Sequence, residues 1–160
     1  MVTAIYAGSF DPFTNGHLDI LKSGTEIFDK IIIAVAYNPQ KKSFIPIQDR
    51  VTLIQECVKD LKNVEVDSFG GLTVEYAQKH GAVVLLRGLR NAADYEYEVQ
   101  MAQVNEALSK NIKTVFLNSK PEYSYVSSSA VREILLNNGD VSKMVPKPVC
   151  KYLKKLNFEK

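Results

Sequence analysis

Short runs of apolar and β-branched residues recur along the chain, and polar segments separate them. The runs are TAIYAG (3–8), IIIAVAY (31–37), VEVDSF (64–69), AVVLLRG (82–88) and KTVFLN (113–118). Several of them are almost continuously apolar, which is typical of strands buried on both faces of a parallel sheet. The pattern therefore predicts a parallel sheet of about five strands.

The segments between these runs carry apolar residues three or four positions apart, which is the period of an amphipathic helix. The shared faces are Leu18, Leu21 and Ile27-Phe28 in HLDILKSGTEIF, Val51, Ile54, Val58 and Leu61 in QDRVTLIQECVKDL, Tyr97, Met101, Val104 and Leu108 in AADYEYEVQMAQVNEALSK, and Val149, Leu153 and Leu156 in VPKPVCKYLKKLNF. Alternation of strand and helix indicates βαβ units with right-handed crossovers. We expect an α/β fold, an open parallel sheet with helices on both faces and no internal domain boundary.

Composition and charge add only exclusions. The chain has 160 residues, 46% of them apolar, and a net charge of +2, which suits one globular domain and argues for neither nucleic acid nor a membrane surface as a partner. No basic and apolar leader follows Met1, and no apolar run is long enough to span a membrane, so we expect a cytoplasmic protein. Cys57 and Cys150 have no metal-binding spacing, and we expect reduced thiols in or near the core.

Three segments that follow predicted strands are dense in glycine and polar residues. They are GSFDPFTNGH, RGLRNAADYE and SKPEYSYVSSSAVR, called here the first, second and third loops. In open parallel sheets, ligands bind beyond the carboxyl ends of the strands. We therefore expect these three loops to line one site.

The first loop ends where a helix begins, at Gly16-His17. Free backbone N–H groups and the positive end of the helix dipole favour an anion there, and an imidazole suits a phosphate oxygen. Gly8 and Gly16 can bring the backbone close to a ligand or adopt a positive φ. The alternative is a capped turn in which His17 only satisfies a hydrogen bond, but the TNGH spacing between a strand and a helix favours phosphate. Neither a Walker motif nor G-x-G-x-x-G occurs.

The third loop places Ser127–Ser129 before a helical stripe, with Arg132 expected in the first turn. One serine can serve as an N-cap, with Glu133 completing a capping box. A single cap does not require three serines, and the dipole disfavours a cation in a first turn. The cluster therefore favours a polyphosphate ligand.

The second loop places Arg87 and Arg90 around Gly88 at a strand end. An arginine that interrupts an apolar run needs an anionic partner. That partner is either a ligand or an ion pair with Asp94, Glu96 or Glu98, and the second loop alone leaves both open. NPQKKSF adds Lys41 and Lys42 after the second strand, so cations and N–H donors converge in a way that suits two phosphorylated ligands.

Four motifs carry a resemblance to a known family: GSFDPFTNGHLDI, NPQKKSF, RGLRNAADYEYE and YSYVSSSAVRE. They occur in order and in register from Ile5 to about Pro146, and the chain resembles the bacterial phosphopantetheine adenylyltransferases of the T/HxGH nucleotidyltransferase superfamily. Ala7 stands where the family usually has Pro, and Ser9 where many members have Thr. Ser9 keeps the hydroxyl, so the chemistry of the motif is retained.

The resemblance implies one Rossmann-like nucleotidyltransferase domain over residues 1–160, a homohexamer and a Mg²⁺-dependent reaction of ATP with 4′-phosphopantetheine. The products would be dephospho-coenzyme A, in the penultimate step of coenzyme A synthesis, and pyrophosphate. It leaves open whether coenzyme A inhibits by occupying the site. By motif, phosphopantetheine would be bound by Ser9, Lys41, Thr73 and Arg87, and ATP by Ser9, Phe10, His17, Gly88, Leu89, Arg90, Glu98, Tyr123, Ser124, Tyr125, Val126, Ser127, Ser128 and Ser129. His17 would stabilise the transition state, and Thr73 occupies a position at which family members vary.

This reaction needs no catalytic base in the protein, since a phosphate monoester is already anionic near neutral pH, with a second pKa of about 6. It needs two repelling anions held in line and charge stabilised at the α-phosphorus. Two alternatives stay open: a sibling transferase with another phosphate acceptor, such as nicotinamide mononucleotide, and a non-catalytic module that senses ATP. The pair Lys41 and Arg87, with the RGLRNAADYEYE string, argues against the sibling transferase. Retention of His17 together with these cations argues against the sensor, which needs only the ATP side.

Overall fold

The five predicted strands form one parallel sheet. The structure is a computed structural model that describes residues 1–156. The strands are β1 (Thr3–Gly8), β2 (Lys30–Ala36), β3 (Val64–Phe69), β4 (Val84–Leu89) and β5 (Lys113–Asn118). Each lies within two residues of its predicted position.

Helices connect the strands and complete the chain. They are α1 (Asn15–Thr25), α2 (Ile47–Val58), α3 (Thr73–Lys79), α4 (Ala92–Leu108), α5 (Ser128–Leu136) and α6 (Lys147–Leu156), with a 3-10 helix at Pro121–Tyr123. The pattern did not predict α3 or the 3-10 helix, because each is too short to show a period. Within residues 1–156, no helix combines the length and the apolar character that a membrane span requires.

The order of the strands locates the crevice. It is β3-β2-β1-β4-β5, so the chain builds outward from β1 on one side and then returns to pair β4 with the other side. Such a reversal leaves a crevice beyond the carboxyl ends of the two central strands. The first loop begins there at Gly8, the last residue of β1, and the second begins at Arg87, in the last half of β4.

Apolar side chains are buried on both faces of the sheet. In β1, Ala4 and Tyr6 enter one core, and Ile5 and Ala7 enter the other. The larger core takes residues from α1, α2, α5 and α6, and the smaller core takes residues from α3. The predicted Rossmann-like α/β fold is confirmed.

Three predicted apolar faces differ from the structure. Ile27 is 60% exposed because α1 ends before it, and Leu156 is 38% exposed because the core contacts of α6 end with Leu153. The tail residues Asn157 and Phe158, in the segment predicted as helix, lie outside the described residues. The apolar stripe predicted on α4 forms one face of the helix, but this face is exposed, and the buried residue of α4 is Glu98. The stripe residues are 38% to 61% exposed; they are Tyr97, Met101, Val104 and Leu108.

Candidate active site

A cleft of about 560 Å³ opens at the carboxyl ends of β1 and β4. It is lined by predicted site residues from all three loops and from α4: Ser9, Phe10, His17, Arg87, Gly88, Arg90, Glu98, Val126, Ser127, Ser128 and Ser129. We call it the main cleft. The strand reversal therefore brings the three loops to one place.

The other predicted residues lie around this cleft. Lys41 lines a neighbouring cleft of about 530 Å³, which meets the main cleft at Ser9 and Arg132. Thr73 lines a cavity of about 140 Å³ that shares Arg87 with the main cleft. Four predicted ATP-binding residues do not line the main cleft, although they lie close in sequence to residues that do: Leu89, Tyr123, Ser124 and Tyr125.

His17 is part of the cap of α1. The hydroxyl of Thr14 accepts a hydrogen bond from the backbone N–H of His17, and the backbone N–H of Thr14 donates to His17 Nδ1 at 3.0 Å. This is a capping box in which histidine replaces the usual Glu or Gln. Because Nδ1 accepts, a neutral ring carries its proton on Nε2. The structural role considered as the alternative is real, and it leaves Nε2–H available as a donor.

Two aromatic rings and two arginines define the surroundings of His17. Its ring lies 5.0 Å from that of Phe10, edge to face, and is stacked 5.5 Å from that of Phe13, centroid to centroid. Burial, together with the positive charges of Arg87 and Arg90, lowers the pKa of His17 to about 3. The imidazole is therefore neutral over the physiological range, which suits a fixed donor and not a proton shuttle.

Gly8 leaves little room for a side chain. A Cβ at this position would lie 3.1 Å from Cζ of Phe10, whose ring is buried beneath it. The positive φ in the first loop belongs to Phe10, at 47°, an uncommon value for a residue with a side chain. The prediction that Gly8 or Gly16 can supply a positive φ is not realised, since neither adopts one.

Each of the two arginines of the second loop is bound by one carboxylate and one backbone carbonyl. Arg87 donates from Nε and Nη2 to both carboxylate oxygens of Glu98, at 2.7 and 2.6 Å, and from Nη1 to the carbonyl of Ala7. Arg90 donates from Nε and Nη2 to both oxygens of Asp94, at 2.9 and 3.0 Å, and from Nη1 to the carbonyl of Val126. The ion-pair partners left open by the sequence are thus Glu98 and Asp94.

The ion pairs shift the pKa values of Arg87 and Asp94 in the directions expected for paired charges. Burial alone would lower the pKa of Arg87, but the hydrogen bonds and charge of Glu98 outweigh it and raise that pKa. Burial alone would raise the pKa of Asp94, but the hydrogen bonds from Arg90 outweigh it and lower that pKa. Both shifts favour the charged form, of Arg87 in the first pair and of Asp94 in the second.

The third loop delivers the start of α5 to the cleft. Ser127 is the N-cap and accepts from the N–H of Ala130, so the capping box with Glu133 is wrong, and α5 begins early enough to place Arg132 beyond its first turn. Ser128 donates to the carbonyl of Pro12, which ties this loop to the first. The first N–H groups of a helix have no intrahelical partner, so those of Ser128 and Ser129 suit an anion.

Sequence reasoning missed two buried polar residues that shape the neighbouring cleft. The carboxylate of Asp11 accepts from the N–H groups of Phe44 and Ile45, both at 2.7 Å, and fixes the first loop to the Lys41 segment. Arg50 is buried and donates to the carbonyl of Ser9 at 2.6 Å. Arg50 lies four residues before Ile54, on the predicted apolar face of α2, so its spacing was a usable signal.

Over residues 1–156, no group of three or more His, Cys, Asp or Glu side chains is arranged to hold a metal ion. The carboxylates that line the main cleft, Asp94 and Glu98, are engaged by arginines. These donors suit a Mg²⁺ ion carried by substrate phosphates better than an ion held in a protein cage.

Comparison with known proteins agrees with this architecture. A solved structure described as a putative nicotinate-nucleotide adenylyltransferase from Vibrio parahaemolyticus superposes with a TM-score of 0.73, covering 100% of this chain and 98% of its own, at 18% identity. At that identity the likeness concerns the fold.

Sequence comparison is more specific. The cytidylyltransferase-like family model matches residues 5–134. A phosphopantetheine adenylyltransferase of Caldanaerobacter subterraneus is 50% identical over 153 residues, covering 96% of each chain. One of Gloeothece citriformis is 53% identical over 146 residues, covering 91% of this chain and 93% of its own. The chain therefore belongs to the cytidylyltransferase-like family and, within it, to the phosphopantetheine adenylyltransferases.

Proposed function

We propose that this chain transfers the adenylyl group of ATP to 4′-phosphopantetheine, giving dephospho-coenzyme A and pyrophosphate in coenzyme A biosynthesis. The observation that carries the proposal is the convergence of N–H donors on one cleft. They are the Nε2–H of His17, the guanidinium groups of Arg87 and Arg90, and the start of α5. Relatives about half identical in sequence are named phosphopantetheine adenylyltransferases, which supports ATP and 4′-phosphopantetheine as the anions that these donors bind.

The chemistry follows from the charges. An oxygen of the 4′-phosphate attacks the α-phosphorus of ATP, the bond from that phosphorus to the bridging oxygen of the β-phosphate breaks, and pyrophosphate leaves with the electron pair. The nucleophile is already deprotonated, so the reaction needs no protein base. A neutral His17 fits this scheme, because its donor stabilises charge on the α-phosphoryl oxygens without exchanging a proton.

The two substrates divide the site. We assign the triphosphate to Arg90 and the start of α5, and the phosphate of the acceptor to Arg87 and Lys41. Ser9 lines the main and the neighbouring cleft, which supports a contact with both substrates. Thr73 shares a cavity with Arg87, which supports a place for the uncharged part of the acceptor.

We assign a Mg²⁺ requirement to the bound nucleotide. The ion would be held by phosphate oxygens and water, and Asp94 and Glu98 are the carboxylates that line the main cleft among residues 1–156. When bound, it supplies charge neutralisation on the leaving pyrophosphate. The chain's own residues orient the phosphates around it.

The experiment that tests the proposal is pyrophosphate release from ATP by the purified chain, with either 4′-phosphopantetheine or nicotinamide mononucleotide as the acceptor. We expect release with the first and none above background with the second. Release only with the mononucleotide would support the sibling transferase. ATP binding without release in either case would support the ATP-sensing module.

We also propose that the exposed stripe of α4 contacts a second copy of the chain within a homohexamer. Contiguous exposed apolar side chains on one helix face are typical of an interface. Light scattering should give the mass of six chains, and Val104→Lys with Leu108→Lys should dissociate the assembly. A monomer in the wild type would contradict this. Feedback binding of coenzyme A and a cytoplasmic location stay predictions.

A further inference from the structure

We propose that Asp94 and Glu98 are positioning residues, which hold the guanidinium groups of Arg90 and Arg87 in the orientation that meets the substrate phosphates. The identity of those phosphates rests on the proposed function. The two carboxylates would act through the arginines and would not need to touch the reacting atoms.

The repeated geometry carries this inference. In both arginines, Nε and Nη2 donate to the two oxygens of one carboxylate, and Nη1 donates to a backbone carbonyl of another segment. A guanidinium has five N–H donors, so two remain on each arginine. Those two are fixed in direction, because the other three N–H groups are already bound.

Charge alone gives no reason for these carboxylates. A site that binds polyanions loses attraction when each of two cations is paired with a negative charge. What the pairs supply is order: a free arginine side chain loses rotational freedom when it binds, and here that freedom is already lost. Orientation and charge therefore predict opposite effects when a carboxylate is removed.

Helix α4 makes the arrangement rigid. Asp94 and Glu98 are four residues apart and thus lie one turn apart on the same face. Asp94 also accepts from the backbone N–H of Arg90 at 3.0 Å, while its own N–H donates to the N-cap Asn91. Successive turns of the helix therefore hold successive arginines of the second loop.

The two pairs face different parts of the site. Arg90 is anchored to the carbonyl of Val126, immediately before the start of α5. Arg87 and Glu98 also line the cavity of Thr73. Loss of Asp94 should therefore weaken the binding of ATP, and loss of Glu98 should weaken the binding of the phosphate acceptor. For Glu98 this differs from the ATP contact that the resemblance implies, because both of its carboxylate oxygens accept from Arg87.

The test measures KM for each substrate in Glu98→Gln, Glu98→Asp, Asp94→Asn and Asp94→Glu. Glu98→Asp keeps the charge but withdraws the carboxylate by one methylene group, so it tests orientation if Glu98→Gln fails to fold. Glu96→Gln is the matched control, because Glu96 is an exposed residue of the same helix and has no ion pair within residues 1–156. Thermal unfolding of each variant separates loss of fold from loss of orientation.

We expect both Glu98 variants to raise the KM for 4′-phosphopantetheine about tenfold or more, and Asp94→Asn to raise the KM for ATP by a similar factor. Asp94→Glu keeps the negative charge but moves the carboxylate, so it should also raise the KM for ATP, whereas an effect of charge alone would leave that KM at the wild-type value. The control should match the wild type. Unchanged or lower KM values in folded variants would overturn the proposal, because the carboxylates would then only offset charge.

Failure of the proposed function gives a different signature. In that case the wild type releases no pyrophosphate with 4′-phosphopantetheine. Calorimetric binding of ATP to the wild type and Asp94→Asn then tests the positioning role without turnover. Weaker binding in the variant supports it, and equal or tighter binding overturns it.

Discussion

The Nδ1 atom of His17 accepts a hydrogen bond of 3.0 Å from the backbone N–H of Thr14. The start of α1 therefore sets the tautomer and the orientation of the imidazole before any substrate binds. Its other nitrogen is left with a proton in a cleft lined by Arg87 and Arg90. A donor arranged in this way can stabilise charge that develops in a transition state, since it requires no reorganisation.

Replacing His17 by Ala should mainly lower kcat, by about 10²–10³, with a smaller change in the KM for ATP. The substitution also removes one half of the capping box, at a cost of about 1 kcal/mol in the free energy of unfolding. His17→Gln is the control for that loss, because glutamine at this position restores the capping box. A folded His17→Ala variant with near-normal turnover would reduce His17 to a helix cap.

The low pKa of His17 predicts how stability depends on pH. An unfolded histidine titrates near pH 6.5, whereas burial lowers the pKa of His17 to about 3 in the folded chain. As the pH falls from about 7 toward 3, the unfolded chain takes up a proton that the folded chain does not, so the free energy of unfolding falls. Above pH 7 this contribution is constant.

The measurement compares the wild type with His17→Gln, which lacks the titrating ring. Between pH 7.5 and 5.5 the wild type should lose about 1 kcal/mol more. Nitrogen NMR of the imidazole, with His80→Asn to assign the signals, should show the Nε2–H tautomer throughout. Titration of His17 near pH 6.5 would contradict the buried neutral ring.

The loops could be predicted from the sequence because their chemistry is local. Gly16, His17 and the three serines follow strands whose apolar runs are unambiguous, and the carboxyl ends of parallel strands meet. The partner of Arg87 could not be chosen in the same way, because Glu96 and Glu98 are two residues apart and only the packing of α4 decides between them. The exposure of the α4 stripe was equally hidden, since periodicity shows that a face is apolar and not what covers it.

Removing the cations assigned to the acceptor should affect the KM values of the two substrates differently. Arg87→Ala and Lys41→Ala should raise the KM for 4′-phosphopantetheine about tenfold or more, with a smaller effect on ATP, because each loses a charge-assisted contact of about 1.5–3 kcal/mol. Lys62→Ala, at an exposed lysine after α2, is the control. Steady-state kinetics with each substrate varied in turn gives both constants. If both variants weakened only ATP, the two halves of the site would have to be exchanged.

The floor of the main cleft depends on Gly88. A Cβ at this position would lie 2.8 Å from Cγ1 of Ile20, so Gly88→Ala should lower the free energy of unfolding by about 1–3 kcal/mol. Gly16→Ala is the steric control, because its Cβ would make only ordinary contacts, at 3.6 Å or more. Urea unfolding of both variants makes the comparison. Equal stability of Gly88→Ala and Gly16→Ala would show that α1 can move away from β4.

The most direct test of attack by the 4′-phosphate on ATP traces an ¹⁸O label from the phosphate into the products. 4′-Phosphopantetheine labelled with ¹⁸O on its phosphate is incubated with ATP and the purified chain, and the products are weighed by mass spectrometry, with unphosphorylated pantetheine as the matched substrate. If the 4′-phosphate attacks the α-phosphorus, dephospho-coenzyme A retains all of the label, pyrophosphate is unlabelled, and pantetheine gives no product. Labelled pyrophosphate, release of AMP or ADP in place of pyrophosphate, or adenylylation of pantetheine would contradict attack by the 4′-phosphate on the α-phosphorus.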